Sequence, residues 1–589
     1  MSIYIRLTDY KDSDSKEQGF FKSENRYEAK QDDFEKIPGS PIAYWVSDRV
    51  KEIFENSNKF ISEADPKPGL STTNNDLFLR YWNEVSLNNI GFNLTKIEAK
   101  ESNKKWFPHN KGGDFQKWYG NLDFIVNWKN DGQEIKKYTE GAAGGRVVNE
   151  DKYFQESISS SAITSSINTY RFYPKGAIFD VNFRSIFFDT KINQFYFLSF
   201  LNSKTVNQLL KILSPTMALN KKDLERLPIV FPKQESTKQI IDTLTQECIN
   251  ISKEEWDSRE TSWDFTKNEL LKHKSDSKIE TAYNNYCSYW KEKFYKLHAN
   301  EEELNRLFID IYELNDELTP DVDLKDITIL KSESIINEDK NIEFKADEIM
   351  KQFISYAVGV MFGRYSLDKD GLQIANLGSE ILISQMTDET KVSFPIDDDN
   401  VIPVLEDDYF SDDIASRVIN FVKTTFGSES LSENINFIEK CLGKTIRAYM
   451  VKDFYEDHIK RYKKRPIYWM VSSPKKGFMS LSYMHRYTND LFARVQNNYL
   501  REYITKLEGT KDILRQIIVD ESASSKDKKD ADKKIKDIEN KLKELISFDR
   551  DVLTSYAQNR VDIDLDDGVK VNYNKFKEVL YPIKGLDKE

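Results

Sequence analysis

Short apolar runs separated by Gly, Asn, Asp and Pro recur from about residue 90 to residue 232. Among them are FIVNW, YRFYP, AIFDV and SIFFDT, which are rich in β-branched and aromatic residues, so the region is predicted to be mainly β. The stretch FYFLSFLNSKTVNQLLKILS follows, and its helical apolar spacing predicts a helix packed on a sheet. Its apolar positions are Leu198, Leu201, Val206, Leu209, Leu210 and Leu213.

Further patterns predict the elements on either side of this region. The segment LNKKDLERLPIVFP predicts a helical turn and then a short strand, which Pro228 and Pro232 place at a sheet edge. Residues 235–315 are charged, have few helix breakers and predict long helices, whereas RPIYWMVSS predicts a strand. Near the start, SPIAYWVSDRV predicts a short helix with Ile42, Trp45, Val46, Val50 and Ile53 on one side.

These patterns together predict an α+β, multidomain protein, because 589 residues exceed what one core accommodates. We expect an N-terminal linker over residues 1–40 and a mainly β domain over 41–234. A helical spacer should cover 235–330, and an α-rich C-terminal domain should cover 331–589. Within that last domain, residues 490–550 predict two antiparallel helices joined at the polar DESASSKDKKD.

Composition narrows the class of protein. The chain is 39% hydrophobic and 31% charged, as globular proteins are, and it has no apolar run long enough for a bilayer. The start lacks a secretory signal pattern, and three scattered cysteines indicate neither disulfides nor a thiolate metal site. We therefore expect a cytoplasmic protein without a membrane partner.

Charge is unevenly distributed along the chain. The net charge of −12 argues against a nucleic-acid partner, but seven Lys against four acids lie between Thr95 and Asn130. Conversely, Asp397 to Asp413 holds eight acids and no base. Because charges act over about 10 Å in salt, a local surface decides which partner binds.

The segment LNKKDLERLPIVFP, followed by a long helix, resembles the end of a target-recognition domain in type I restriction specificity subunits and single-chain adenine methyltransferases. The resemblance extends through GSPIAYWVSDRV, KWFPHNKGGDFQKWYGN, ELNRLFIDIYELNDELTPDV, YAVGVMFGRYSLDKDGL, KRPIYWMVSSPKKGF and LDDGVKVNYNKF. These blocks look like the C-terminal half of PglX-type adenine-specific DNA methyltransferases of BREX phage-defence systems. They cover essentially the whole chain, and residues 1–40 would be the linker from a methyltransferase domain.

The family's catalytic half carries a Gly-rich loop for S-adenosylmethionine and an Asn-Pro-Pro-Tyr-type motif that holds a flipped adenine. This sequence has no Pro-Pro dipeptide and no Phe-x-Gly-x-Gly loop. We therefore expect no catalytic residue, cofactor site or metal site in this chain and no activity of the chain by itself. S-adenosylmethionine should bind the catalytic half, on a second polypeptide or on a part that this sequence lacks.

Target-recognition domains read base edges with Arg, Lys, Asn, Ser and Thr side chains and grip phosphates with Lys and Arg. Two stretches supply such residues. The first offers Lys104, Lys105, Asn110, Lys111, Gly112, Gly113 and Lys117; the second offers Arg146, Asn149, Ser161, Thr164, Arg171 and Lys175. Outside them, Lys463, Lys464 and Arg465 form a compact basic cluster that is either a DNA phosphate contact or an ordinary solvated surface.

Other patterns favour structural roles. Trp106, Trp118, Tyr119 and Trp128 are more typical of a core than of a base-stacking platform, and the glycine cluster at 141–145 is more typical of a loop than of a phosphate cradle. The PDVDLK segment at 320–325 matches a nuclease pattern only loosely, and it looks like a helix end and a linker. The acidic run from Asp397 to Asp413 favours a solvated loop or a patch that faces a basic partner.

The sequence predicts the DNA-recognition half of a BREX N6-adenine methyltransferase. Its expected partners are double-stranded DNA, the catalytic half or subunit, and other BREX proteins. One alternative is a non-catalytic DNA-binding subunit that recruits a defence complex, as type I specificity subunits do. A second alternative is a nuclease that depends on PDVDLK.

Overall fold

The structure is a computed structural model that describes residues 2–160, 168–181, 185–188, 193–213 and 221–586. Helices dominate, and the strands form several small sheets. The predicted α+β class is therefore confirmed. In the described ranges, every helix is too short or too polar to cross a membrane.

The first residues form a small unit of their own. Strands β1 (Ser2–Ile5) and β2 (Arg26–Ala29) pair antiparallel, and helix α1 (Ser13–Phe21) connects them. Helix α2 (Asp48–Asn56) follows, and its N-terminus is capped by Ser47, whose hydroxyl accepts from the Val50 amide. The expected position of Ile42 on the apolar side of this helix is wrong, because the helix begins only after the cap and Ile42 is exposed.

Two four-stranded sheets form the region that the sequence predicts as β. The first has the strand order β10-β6-β7-β5, and the second has the order β4-β11-β8-β9. Their eight strands are β4 Asp65–Lys67, β5 Leu79–Tyr81, β6 Trp106–Asn110, β7 Phe124–Asn127, β8 Ser157–Ser160, β9 Tyr170–Tyr173, β10 Ile178–Phe179 and β11 Ser185–Phe187, and the short strand β3 (Asn58–Lys59) precedes them outside both sheets. Three short helices lie between them: α3 Asn75–Phe78, α4 Lys96–Glu101 and α5 Lys129–Glu140.

The stretch predicted as one helix is two. Helices α6 (Gln194–Asn202) and α7 (Lys204–Leu213) meet at Ser203, whose hydroxyl donates to the Phe200 carbonyl and accepts from the Val206 amide. The turn and strand predicted next are α8 (Lys221–Glu225) and β12 (Pro228–Ile229), and β12 pairs with β3. Two long helices follow, as predicted, α9 Glu235–Asp257 and α11 Ile279–Tyr312, with the one-turn helix α10 Glu269–Lys272 between them.

The remainder is mostly helical around a three-stranded sheet of order β15-β17-β16. The strands of that sheet are β15 Ile402–Pro403, β16 Tyr468–Ser472 and β17 Met479–Tyr483, whereas β13 Ser334–Ile336 pairs separately with β14 Ile342–Phe344 in this part of the chain. Its helices are α12 Ala346–Met361, α13 Glu380–Met386, α14 Ile414–Phe426, α15 Leu431–Leu442, α16 Ile446–Lys452, α17 Phe454–Arg461, α18 Leu491–Arg494, α19 Arg501–Val519, α20 Ser525–Phe548, α21 Thr554–Asn559 and α22 Gly568–Asn574. Helices α19 and α20 lie side by side as a hairpin.

Candidate nucleic-acid interface

A seam of ion pairs joins the two-sheet region to the C-terminal part of the chain. Each pair crosses from one region to the other, so sequence neighbours do not make it. Three of the predicted DNA contacts are its cations. The pairs are Lys463–Asp123 at 2.8 Å, Lys105–Asp566 at 3.5 Å and Arg465–Glu84 at 3.8 Å. A DNA phosphate would have to compete with a carboxylate for each of these cations.

Glu84 is the most deeply buried acid of the seam. Its carboxylate accepts from the Tyr81 amide at 2.9 Å and from the Val569 amide at 2.8 Å, which ties the end of β5 to the start of α22. Burial raises the pKa of Glu84, and the nearby Arg465 guanidinium opposes that rise. The backbone at Gly568 lies so close to the Arg80 side chain that a Cβ at this position would be 2.5 Å from Nε of Arg80.

Two predicted cations lie beside the seam. The Lys104 ammonium donates to the Asn88 carbonyl at 2.5 Å, and the side chain keeps partial exposure. Lys464 is exposed in the turn after α17, where both Lys463 and Lys464 have positive φ. The KKR segment is therefore a tight turn with one lysine directed at the seam and the next exposed.

A second polar surface lies at the edge of the two sheets. The Lys111 ammonium is 3.2 Å from Oδ1 of Asn75, and the Ser71 amide donates to the Arg146 carbonyl at 2.8 Å. The loop 71–75, with sequence STTNN, thus lies between Lys111 and Arg146. We call this surface the polar edge and define it as residues 71–75 with Lys111, Arg146 and Asn149.

The polar edge has groups available for a ligand. Arg146 is exposed, and its guanidinium has no hydrogen bond or ion pair among the described residues; Thr73 and Asn75 are also exposed. Asn149 donates to the Pro68 carbonyl at 2.8 Å, which anchors the Arg146 loop to the strand β4 side. Sequence reasoning missed the loop 71–75, although five consecutive side chains that can donate and accept hydrogen bonds were the signal for it.

Asn110 is placed differently from the prediction. It is buried at the end of β6, where its oxygen accepts from the Ser159 hydroxyl at 2.9 Å and its amide lies 3.3 Å from the Ser185 hydroxyl. Both ends of the carboxamide therefore bind protein partners between the two sheets. The expectation that Asn110 contacts DNA is not compatible with this position.

Lys117 is also buried. Its ammonium lies 2.6 Å from Glu301 on α11, and the indole N–H of the neighbouring Trp118 donates to the other oxygen of that carboxylate at 2.7 Å. The loop that carries Lys117 is thereby fixed to the long helix. The expected DNA contact by Lys117 does not fit the structure, because the pair would have to break first.

Arg171 has no exposed surface at all. One guanidinium nitrogen donates to the Gln116 carbonyl at 3.4 Å, whereas Nε and Nη2 have no hydrogen-bond partner among the described residues. Burial lowers the pKa of Arg171 to about 10. The expectation that Arg171 reads a base does not fit the structure, because its guanidinium lies under the loop 112–121.

The glycines of the first stretch shape a turn. Gly112 has φ +78° and Gly113 has φ +157°, and a Cβ at Gly113 would lie 2.6 Å from the Asn121 side chain. They let the chain leave Lys111 and pass beneath Asn121. Lys175 is exposed in the turn after β9, whereas Ser161 and Thr164 lie outside the described residues.

The aromatic residues favoured as core are core. Trp106, Trp118, Tyr119 and Trp128 are all at most 3% exposed. They hold the two sheets and the spacer together, so these four rings have almost no surface for stacking on bases.

The nuclease alternative finds no support in the geometry of PDVDLK. Asp323 accepts from the Lys325 amide at 3.1 Å and lies 2.8 Å from the Lys325 ammonium, and Asp321 is exposed. Among the described residues, the acids that cluster closely enough to share a metal ion are Asp397 to Asp399, far along the chain. Asp323 therefore acts as a local cap and ion-pair partner.

The acidic run matches the solvated loop that the sequence favours only in part, because Asp398 and Glu406 to Asp408 are exposed whereas other acids of the run are buried. Asp413 is buried, accepts from the amides of Ala415 and Ser416 at the start of α14, and pairs with Arg447 at 2.8 Å. Asp397 is buried as well, and burial raises its pKa to about 7. Asp413 thus caps α14 and neutralises Arg447 within the fold.

Comparison with known proteins finds two adenine-specific methyltransferases that match nearly the whole chain. No protein-family model matches the chain. It is 38% identical over 612 residues to the adenine-specific methyltransferase PglX of Lacticaseibacillus casei (strain Zhang), covering 99% of this chain and 49% of that protein. It is 34% identical over 578 residues to the adenine-specific methyltransferase BrxX of Escherichia coli O9:H4 (strain HS), covering 94% and 46%. The chain is thus homologous to these proteins over most of its length and spans about half the length of each.

Proposed function

We propose that this chain recognises double-stranded DNA for an N6-adenine DNA methyltransferase of a BREX phage-defence system. The observation that carries the proposal is the match of nearly the whole chain to about half of two adenine-specific methyltransferases. The absence of a Pro-Pro dipeptide and of a Phe-x-Gly-x-Gly loop from the sequence supports a role outside catalysis. A separate catalytic module would bind S-adenosylmethionine and the flipped adenine.

The polar edge is the surface we assign to DNA. Arg146 offers an unpaired guanidinium, which can bind a phosphate or both acceptors of a guanine. Thr73 and Asn75 offer shorter groups that both donate and accept, as base-edge readout requires. Lys111 stands at the other end of the loop as a phosphate contact, where a phosphate would compete with the Asp180 carboxylate 3.5 Å from its ammonium.

Positioning is the chemical contribution of this chain. A base inside a duplex is out of reach of a methyl donor, so the duplex must be held while one adenine rotates out. Phosphate contacts fix the register of the protein on DNA, and base contacts select the sequence. Rigid attachment of the sheets to α11 through Lys117 and Glu301 keeps that register constant relative to the rest of the protein.

Binding of duplex oligonucleotides to the chain, measured by fluorescence anisotropy, tests the proposal. For six to ten phosphate contacts we expect affinity to fall by about 10³–10⁵ between 50 and 200 mM salt. The same titration with a catalytic module added covers the case in which DNA binding needs both. Failure to bind any duplex at 50 mM salt in either mixture would exclude the function.

Co-expression with a catalytic module distinguishes methylation from recruitment. If adenines in one short genomic sequence become methylated only when both proteins are present, the chain supports catalysis. DNA binding without such methylation would instead assign it to the recruiting class. Calorimetry adds a third readout, since tight binding of S-adenosylmethionine to this chain would contradict the division of roles.

A further inference from the structure

The outer face of the N-terminal unit is apolar and exposed. Ile3 on β1 is 62% exposed, and Phe20 and Phe21 at the end of α1 are 44% and 72% exposed. Large apolar side chains this exposed, and next to one another, usually mark an interaction surface.

These side chains form one continuous patch. The Phe20 and Phe21 rings have centroids 5.4 Å apart, and the Arg26 guanidinium lies 5.7 Å from the Phe20 ring centroid. Arg26 is the cross-strand partner of Ile5, which shares the outer face of β1 with Ile3. We call the surface of Ile3, Ile5, Phe20 and Phe21 the N-terminal patch.

The opposite face of the same hairpin is already covered. The Tyr4 ring stacks on Tyr44 with centroids 4.7 Å apart and meets Phe34 edge-on at 5.6 Å. The hairpin is therefore anchored to this chain on one side and uncovered on the other.

One edge of the hairpin is unpaired as well. The Arg6 amide donates to the Asn25 carbonyl at 2.9 Å, so by the alternation of antiparallel pairs the backbone groups of Ile3 and Ile5 point away from β2. The Ile5 carbonyl accepts from the Tyr44 hydroxyl, and among the described residues no third strand pairs with β1. A two-stranded sheet is marginal in water, and a free strand edge is a template for another strand.

We propose that the catalytic methyltransferase module docks on the N-terminal patch and adds a strand to the free edge of β1. This inference rests on the proposed function. The homologous methyltransferases hold about as much chain again as they share with this protein, so in them further chain of similar length is joined to the shared part. An apolar face beside an open sheet edge suits a folded protein module that extends the sheet.

The chemistry of the patch disfavours DNA as the occupant. Glu28 is exposed next to Ile3 as its cross-strand partner, and Glu24 lies in the turn before β2. Lys22 and Arg26 offset these two acids, so the rim has little net charge to attract phosphates, whereas a protein surface can cover Phe21 and pair with charges of both signs. DNA and its catalytic module would thus bind different surfaces of this chain.

A binding experiment tests the docking surface. The probe is the half of the L. casei PglX that this chain does not match, and its binding of S-adenosylmethionine first shows that it is folded. Sedimentation velocity should detect a complex with the wild-type chain. We expect Phe21→Glu and Ile3→Glu to weaken it at least tenfold, because each places a charge in the patch, whereas Val519→Glu on the hairpin should not change it; Val519 is 77% exposed.

Hydrogen exchange of the same complex gives a second readout. The amides of Ile3 and Ile5 should become protected when the module binds, because they gain partners in an added strand. A complex with unchanged affinity in the Ile3→Glu, Phe21→Glu double variant, or with unprotected amides there, would overturn the proposal. So would the absence of any complex, or self-association of the wild type through the patch that the folded module does not displace.

The DNA measurement separates the two proposals. Phe21→Glu should bind duplex DNA as the wild type does, since the patch is not the polar edge. If the wild type fails to bind DNA but the module docks at the patch, the recognition role falls and the docking surface stands. If DNA binds and the module ignores the patch, the reverse holds.

Discussion

The ammonium nitrogen of Lys117 lies 2.6 Å from Oε2 of Glu301, a residue 184 positions further along the chain. The other oxygen of Glu301 accepts from the indole N–H of Trp118 at 2.7 Å. All three side chains are buried, so this contact excludes water from the junction of the sheets with α11. The long helix therefore fixes the loop that leads from the polar edge into the core.

Glu301→Ala should lower the free energy of unfolding of this part by about 3–5 kcal/mol, because it leaves the Lys117 charge buried without a partner. Urea unfolding followed by tryptophan fluorescence measures the change, and Trp118 lies beside the site. The matched control is Glu303→Ala on the same helix, whose carboxylate pairs with Arg306 at the surface. If the two variants unfold alike, the buried pair does not anchor the loop.

Arg146→Ala should weaken DNA binding without affecting stability, because its guanidinium is exposed and unpaired. If Arg146 reads a guanine, the loss should be about 1–3 kcal/mol on the preferred sequence. If it grips a phosphate, the loss should be uniform and the salt slope should fall by about one. Anisotropy titrations on several duplexes decide between them.

The control for Arg146 is Arg515→Ala, which removes an exposed arginine from the α19–α20 hairpin. It changes net charge equally but lies outside the polar edge. Equal effects of both substitutions would show that the chain attracts DNA by overall charge and not through the polar edge.

Arg171→Met should leave stability unchanged or raise it by about 1–4 kcal/mol, because a flexible apolar chain replaces a buried guanidinium of which two nitrogens have no hydrogen-bond partner among the described residues. DNA affinity should not change. Arg171→Ala, by contrast, should destabilise by about 2 kcal/mol or more through the cavity that it leaves. Thermal unfolding of the two variants gives the sign, and loss of DNA binding by a folded Arg171→Met protein would restore Arg171 as a contact.

Asp397→Asn should change the pH dependence of stability. Burial raises the pKa of Asp397 to about 7 in the fold, so the folded state holds a proton that the unfolded state releases near pH 4. Wild-type stability from this group should therefore fall as pH rises from about 4 to about 7, by at most about 4 kcal/mol, and be level above. Asparagine cannot ionise, so urea midpoints of the variant should lack this decline; parallel curves for both proteins would refute the assignment.

The sequence predicted local elements well where one segment decides the outcome. RPIYWMVSS is β16, the bracketed strand at Pro228 is β12, and the charged stretch after residue 235 is helical. The single helix predicted near residue 200 is divided because the Ser203 hydroxyl satisfies the backbone on both sides. Side chain–backbone competition of that kind is not visible in apolar spacing.

The candidate site was less predictable, because partners distant in sequence decide which polar side chains remain free. Nothing near Lys117 shows that Glu301 will take its charge, and nothing near Lys463 points to Asp123. Arg146, unlike these lysines, has no acidic partner among the described residues. The prediction of stretches was therefore more useful than the prediction of individual residues.

The seam has a consequence for how ionic strength acts on this protein. Lys463–Asp123 and Arg465–Glu84 are attractions between two parts of one molecule; dissolved ions reach the half-exposed Lys463 as they reach a phosphate contact, and they screen the buried Glu84 much less. Rising salt should loosen the grip of the C-terminal part on the sheets while it also displaces DNA. The slope of DNA affinity against salt concentration would then report the loss of these internal ion pairs as well as the loss of phosphate contacts. In a Lys463→Met, Asp123→Asn protein, which lacks one internal pair, the slope would reflect the number of phosphate contacts more directly.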